Sequence, residues 1–326
     1  RNGDVESGRN VRLVSYRFSA HSSQLMAGVL DGNGIVNAGL LLGRPAEMTM
    51  LGLLNLGPSA LSRLNDAMAE FNRTYTDQPI FPEAMTAPVW LSEIVAPLPR
   101  PRSFRDFYAY EQHVATGYAK RNRPIPPAWF EMPVFFYQHP GNIFGSDATI
   151  PYPHDSSQLD FELEIAAVIG KGGRDIRAAD GWEHVAGLTI LNDWSARDLQ
   201  LREMSVGLGP AKSKDFATSI GPTIVTLDEL APWFRDDRYH LKATVSINDA
   251  EIAATSTGDN HWTIPQMIEF ASRGVDLEPG DLIGLGTMAR GCLLELGEAV
   301  HPWLLPGDEV ILEVDQLGRL RNMVGD

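Results

Sequence analysis

Cysteine is nearly absent: Cys292 is the only one in 326 residues. A lone thiol excludes an internal disulfide and a cysteine-rich zinc site, so a reducing, cytoplasmic location is the expectation. Basic residues are also scarce, 27 against 42 acidic, and the resulting net charge of -15 has the wrong sign for gripping a phosphate backbone. Nucleic acid is therefore not an expected partner. Long hydrophobic runs are missing too. The most apolar early stretch, Ala38 to Gly57, is interrupted by Arg44 and Glu47, and no membrane span is predicted. No basic-then-apolar leader is expected from the residues that follow Arg1, and neither an internal repeat nor a low-complexity tract is seen. What remains, 44% hydrophobic and 21% charged residues, suffices for one substantial domain and a smaller one.

Against that background three acidic residues in one short apolar segment stand out. In Leu159-Asp-Phe-Glu-Leu-Glu-Ile165, continuing to Ile169, the side-chain period of a strand sends Asp160, Glu162 and Glu164 to one face and Phe161, Leu163 and Ile165 to the other. Burying unpaired carboxylates costs several kcal/mol or drives their protonation. A divalent metal held by oxygen ligands is the simplest compensation.

A second aliphatic run, Val185 to Asn192, reads as a buried strand and delivers Asp193 at its end. Arg197 and Gln200 follow at four and seven residues beyond it, so a helix beginning there would gather all three on one face. One ligand, one fixed cation and one amide suit an organic anion bound against a metal. The alternative is that Arg197 merely pairs with Asp193 or Asp198.

The first hundred residues differ from the rest. Val11 to Leu30 and Ile35 to Leu42 read as strands joined at Asp31-Gly-Asn-Gly34, and Leu61, Leu64, Met68 and Phe71 form one apolar helical stripe after Pro58. Proline-punctuated Ala96 to Arg102 marks the predicted boundary, giving a small domain over 1–98 and a larger one over 99–326. Beyond it, strands are predicted over His240 to Ile247, Pro279 to Gly286 and Pro306 to Val314, with helices over Phe104 to Asn122, Ser195 to Met204 and Ile264 to Ser272. The predicted class is α+β and rich in β-structure.

The acidic D-x-E-x-E strand followed by Asn-Asp-Trp-Ser-Ala-Arg-Asp-x-Gln resembles the fumarylacetoacetate hydrolase family, with the likeness running from about Phe104 to the end. Asp106 and His113, Lys214 in Lys-Ser-Lys-Asp-Phe, Gly286-Thr287, and Glu295 in Gly-Cys-Leu-Leu-Glu-Leu-Gly297 extend it. The resemblance implies a rolled mixed β-sandwich with a smaller β-containing amino-terminal domain, and a homodimer. It implies Asp106, Glu162, Glu164 and Asp193 as metal ligands, with Asp160 a neighbour. An oxygen-only set without histidine or cysteine at zinc spacing favours Mg, with Mn or Ca as alternatives.

His113 is the expected base, since imidazole titrates near neutral pH, and Glu295 its partner in activating water. Lys214 adds charge beside an enolate; Arg197, Gln200 and Thr287 orient a keto-acid substrate. Where fumarylacetoacetate-cleaving members carry substrate-contacting tyrosines, Phe136 or Tyr137 and Met204 stand here, while Arg121 and Arg123 flank an arginine position. Glu295 lies among leucines, where a strand with one solvent face is the competing reading. The expected activity is metal-dependent hydrolysis of a carbon-carbon bond in an acylpyruvate or another β-diketo acid. The alternatives are a decarboxylase of oxaloacetate-like acids, a keto-enol isomerase, or a non-catalytic protein stapled by calcium.

Overall fold

The computed structural model describes residues 11–18, 22–32, 34–75, 86–89 and 92–326. Two sheets carry the fold, and the larger one joins strands drawn from Arg12 to Gly284. Its central order is Arg12–Arg17, Thr218–Thr226, Val185–Asn192, Leu163–Ile169, Leu282–Gly284, Phe104–Phe107 and Phe135–Tyr137. The first four neighbours pair antiparallel, as does Leu163–Ile169 with Leu282–Gly284, whereas Leu282–Gly284 and Phe104–Phe107 run parallel. Met26–Asp31 and Gly34–Asn37 extend the sheet beyond Arg12–Arg17. The amino-terminal strands thus share one hydrogen-bonded sheet with strands that follow residue 98.

The second sheet contains Ala250–Ser256, Lys242–Ile247, Glu309–Val314 and Gly318–Val324. Its inner residues, including Val245, Leu312 and Leu320, pack with Leu188, Ile190 and Val225 in one core. The opposite face of the large sheet is covered separately: Ala166, Val168, Leu191 and Ile224 meet Leu64, Met68 and Phe71 of the Pro58–Tyr75 helix. Cover on both faces explains why the Leu163–Ile169 and Val185–Asn192 strands are buried throughout. Among the described residues no helix is long and apolar enough to cross a membrane.

Several boundaries differ from the reading of the sequence. The segment from Val11 to Leu30 is two antiparallel strands, with residues 19–21 outside the described part. Ile35 to Leu42 leaves the strand at Asn37, whose side chain caps the Ala38–Leu41 turn. Asp31 and Gly34 pair as a hairpin closure requires, although Asn33 lies outside the described residues. Phe104 to Asn122 is not one helix: Phe104–Phe107 is a strand, and the helix spans Glu111–Ala119. Pairing with Leu282–Gly284 and Phe135–Tyr137 overrides local preference there. The Ile264–Ser272 helix matches the prediction, fixed by a Thr263/Gln266 capping box and Pro265 in its first turn.

Candidate active site

The acidic strand is broken at Phe161 and Glu162, between Leu159–Asp160 and Leu163–Ile169. Asn192 holds that break by accepting the Glu162 N–H through its side-chain oxygen at 2.9 Å. Glu164 projects from the second strand, Asp193 follows immediately on Val185–Asn192, and Asp106 lies in Phe104–Phe107. Oxygens of Asp106, Glu164 and Asp193 come within 4.8 Å of one another. Glu162 adjoins this trio through Lys214, whose ammonium donates to Glu162 at 2.5 Å and also to Asp193.

Charge is unevenly shared. Five carboxylates, Asp106, Asp160, Glu162, Glu164 and Asp193, are buried with two cations, Arg197 and Lys214. Burial would raise Glu162, but Lys214 and Arg197 outweigh it and hold the group below its ordinary range. Among the described residues Asp106 and Glu164 have no ion-pair partner, and Lys214 only partly offsets what raises them. Burial first, then neighbouring carboxylates, pushes both well above the usual carboxylate range, and burial lifts Asp193 to about 6 despite Lys214. Among the described residues Asp106 Oδ1 is buried without a hydrogen-bond partner. Raised carboxyls around an orphaned acceptor are what an oxygen-ligated divalent cation would relieve.

Asp160 is engaged elsewhere. It accepts from Arg197 Nε at 2.8 Å and from the backbone N–H groups of Leu293 and Leu294 at 2.8 and 3.0 Å. It therefore ties the acidic strand to the short Leu293–Leu296 helix that carries Glu295. That segment is helical, so the strand reading of the leucine-rich stretch is corrected.

Arg197 begins its helix, Arg197–Ser205, whereas Asp193 precedes it, so the three residues do not share one helical face. Its partners are neither Asp193 nor Asp198. Arg197 Nη2 donates to Glu162 at 2.7 Å and Nη1 to the Gln200 side-chain oxygen at 3.0 Å, while Asp198 serves Ser156 and Ser157.

Asp106, Glu162, Glu164 and Asp193 open onto a cavity of about 220 Å³. His113, Lys214, Arg197, Gln200, Met204, Thr287 and Phe136 also line it. His113 Nδ1 meets Glu295 Oε1 at 2.5 Å, and Arg290 N–H donates to the other Glu295 oxygen at 3.0 Å. This leaves His113 Nε2 for the cavity. Thr287 donates its hydroxyl to Glu164 at 3.3 Å, beside the Gly286 N–H at 3.0 Å.

The glycines before Thr287 are required by close packing against backbone and carboxylate. At Gly286 φ is +89°, and a Cβ would stand 2.5 Å from the Phe107 carbonyl oxygen. A Cβ at Gly284 would collide with the Asp106 carboxylate.

Tyr137 is the one predicted contact that turns away. It is 65% exposed, with the Arg105 guanidinium over its ring. Asp106 pairs with Phe136 across the strands, so strand alternation aims Phe136 inward and Tyr137 outward. Lys214 is likewise separated from Lys212, which is exposed and pairs with Asp215 at 3.0 Å.

Three further residues, Gln138, Tyr108 and Tyr118, escaped the sequence reading. Gln138 donates to Asp193 at 2.6 Å, with no motif to announce it. Tyr108 and Tyr118 line the cavity, and so does Arg121, one of the two arginines flanking the expected position, its Nη2 3.9 Å from Met204 sulfur.

A sheet-rich α+β chain with converging buried carboxylates and a histidine-glutamate pair defines an enzyme-like class, and comparison with known proteins places it. The model described as fumarylacetoacetate (FAA) hydrolase C-terminal matches residues 102–325. Fumarylacetoacetase from Oryza sativa is 30% identical across 64% of this chain and 62% of that protein, so the match spans less than two thirds of its length. The mitochondrial oxaloacetate tautomerase FAHD2A of Bos taurus is 30% identical across 98% of this chain and 93% of its own. The solved fumarylacetoacetate hydrolase of Exiguobacterium antarcticum shares the fold, with a TM-score of 0.68, 24% identity and coverage of 97% and 99% of the two chains. The chain belongs to the fumarylacetoacetate hydrolase family.

Proposed function

We propose that this protein is a divalent-metal-dependent hydrolase that cleaves a carbon-carbon bond in a small β-diketo acid such as an acylpyruvate. The observation that carries this reading is the His113–Glu295 pair beside the carboxylate cluster, with His113 and the carboxylates on one cavity. Asp106, Glu164 and Asp193, with Glu162 alongside, would hold Mg or Mn. When bound, the ion supplies Lewis-acid polarisation of neighbouring carbonyl and carboxylate oxygens. A purely structural ion would need neither the cavity nor the polar groups around it.

The remaining work falls to this chain. His113 Nε2 removes a proton from water, whose oxygen attacks the distal carbonyl carbon, while Glu295 holds the ring and balances the imidazolium. The bond between that carbon and the central carbon then breaks, its electron pair passing into the enolate of the pyruvate-like fragment. Lys214, raised and kept charged by Asp193 and Glu162 against the effect of burial, offsets that developing charge. The proton held by His113 returns to the enolate carbon, and two acids leave. Arg197 and Gln200, bonded to each other, orient the anionic end.

The near-full-length match to an oxaloacetate tautomerase favours a second reading. There His113 would move a proton between carbon and oxygen of a keto acid, with no water consumed. Incubation with acylpyruvates, fumarylacetoacetate and oxaloacetate under Mg or Mn, with products identified, separates the two. Hydrolysis yields two acid fragments. Keto-enol interconversion alone supports the tautomerase, carbon dioxide release a decarboxylase, and inertness toward every keto acid rejects both readings.

A further inference from the structure

Beside the oxygen-only carboxylates lies a second group of ligand-type side chains with different chemistry. His113 Nδ1, Cys292 Sγ and a Glu295 oxygen lie within 4.8 Å of one another, and all three side chains are buried. The sulfur stands 4.0 Å from Nδ1 and 3.8 Å from Oε1, and 2.5 Å separates Nδ1 from Oε1. We propose that this trio is a second metal site, selective for a borderline or soft cation such as Zn²⁺, and that filling it switches the enzyme off.

Softness sorts the two sites. A thiolate and an imidazole favour zinc-like ions, whereas the carboxylate trio favours Mg or Mn. Zinc bonds of about 2.3 Å to sulfur and roughly 2.0–2.2 Å to nitrogen or oxygen set tetrahedral ligand atoms about 3.3–3.6 Å apart. Two observed separations are slightly longer and one shorter, so the ion needs the His113–Glu295 contact to open by less than about 1 Å. Binding releases the thiol proton to solvent and shifts the His113 ring proton from Nδ1 to Nε2, and the thiolate and carboxylate then balance the doubly charged ion. The ion would occupy Nδ1 and displace Glu295 from the ring. Inhibition rests on the proposed role of His113 as base; binding does not.

Cys292 is the only thiol in the chain, which makes the test specific. Wild-type protein, kept in excess Mg to fill the carboxylates, is titrated with Co²⁺ as a spectroscopic zinc substitute. The site predicts a sulfur-to-cobalt charge-transfer absorption in the near ultraviolet, lost in Cys292→Ser and Cys292→Ala. Those variants should keep Mg-dependent turnover and lose zinc sensitivity by about ten-fold or more. A wild-type protein without the absorption, or variants that retain it, overturns the site. An absorption in wild type with turnover untouched by zinc keeps the site and overturns the inhibition, and with it His113 as base.

Discussion

Glu164→Gln is expected to lose bound divalent metal and turnover together, with metal affinity falling by about 100-fold or more and turnover by roughly 10³-fold. The carboxylate takes the Gly286 N–H and the Thr287 hydroxyl from one side and faces Asp106 and Asp193 on the other. An amide keeps one oxygen as acceptor but removes the charge a cation needs. Folding should survive, because the substitution also relieves the repulsion that, after burial, raises Glu164 and Asp106. Metal-free Glu164→Gln should therefore melt at or above the temperature of metal-free wild type. Metal content by elemental measurement, turnover and thermal unfolding on one preparation check all three. A variant with unchanged metal content and full turnover refutes the assignment of Glu164 as a ligand.

His113→Ala should separate binding from chemistry. The ring contributes no oxygen to the carboxylate trio, so Mg or Mn affinity should stay within about two-fold, while hydrolysis falls by about 10² to 10⁴. KM should change little and kcat should carry the loss, since truncating a base spares groups that bind the ground state. Added imidazole should restore part of the rate if the truncated side chain leaves room in the cavity. Retained hydrolysis in His113→Ala would refute the proposed base. Loss of metal would instead mean that the histidine supports the ion, and the division of labour between the two clusters would fail.

Much of the candidate site was legible because its signals were local. Charges at a period of two in an apolar strand, an aspartate ending an aliphatic run, and a family-like motif each lie within a few residues. The illegible parts depend on register between distant segments. Alternation says that one of Phe136 and Tyr137 faces inward, but only the pairing of Asp106 with Phe136 says which. Asp160 looks like a third equivalent carboxylate until the Leu293 and Leu294 N–H groups arrive to occupy it. Phe104–Phe107 reads as helix in isolation and becomes a strand through parallel pairing with Leu282–Gly284. Gln138 carries no local mark, since its importance lies wholly in reaching Asp193.

Anomalous diffraction from crystals of the wild-type protein grown with manganese tests the centre of this account most directly. One peak should stand among the oxygens of Asp106, Glu164 and Asp193, beside Glu162 and Lys214. A protein that binds manganese with that position empty, or with the ion on surface carboxylates alone, would contradict it.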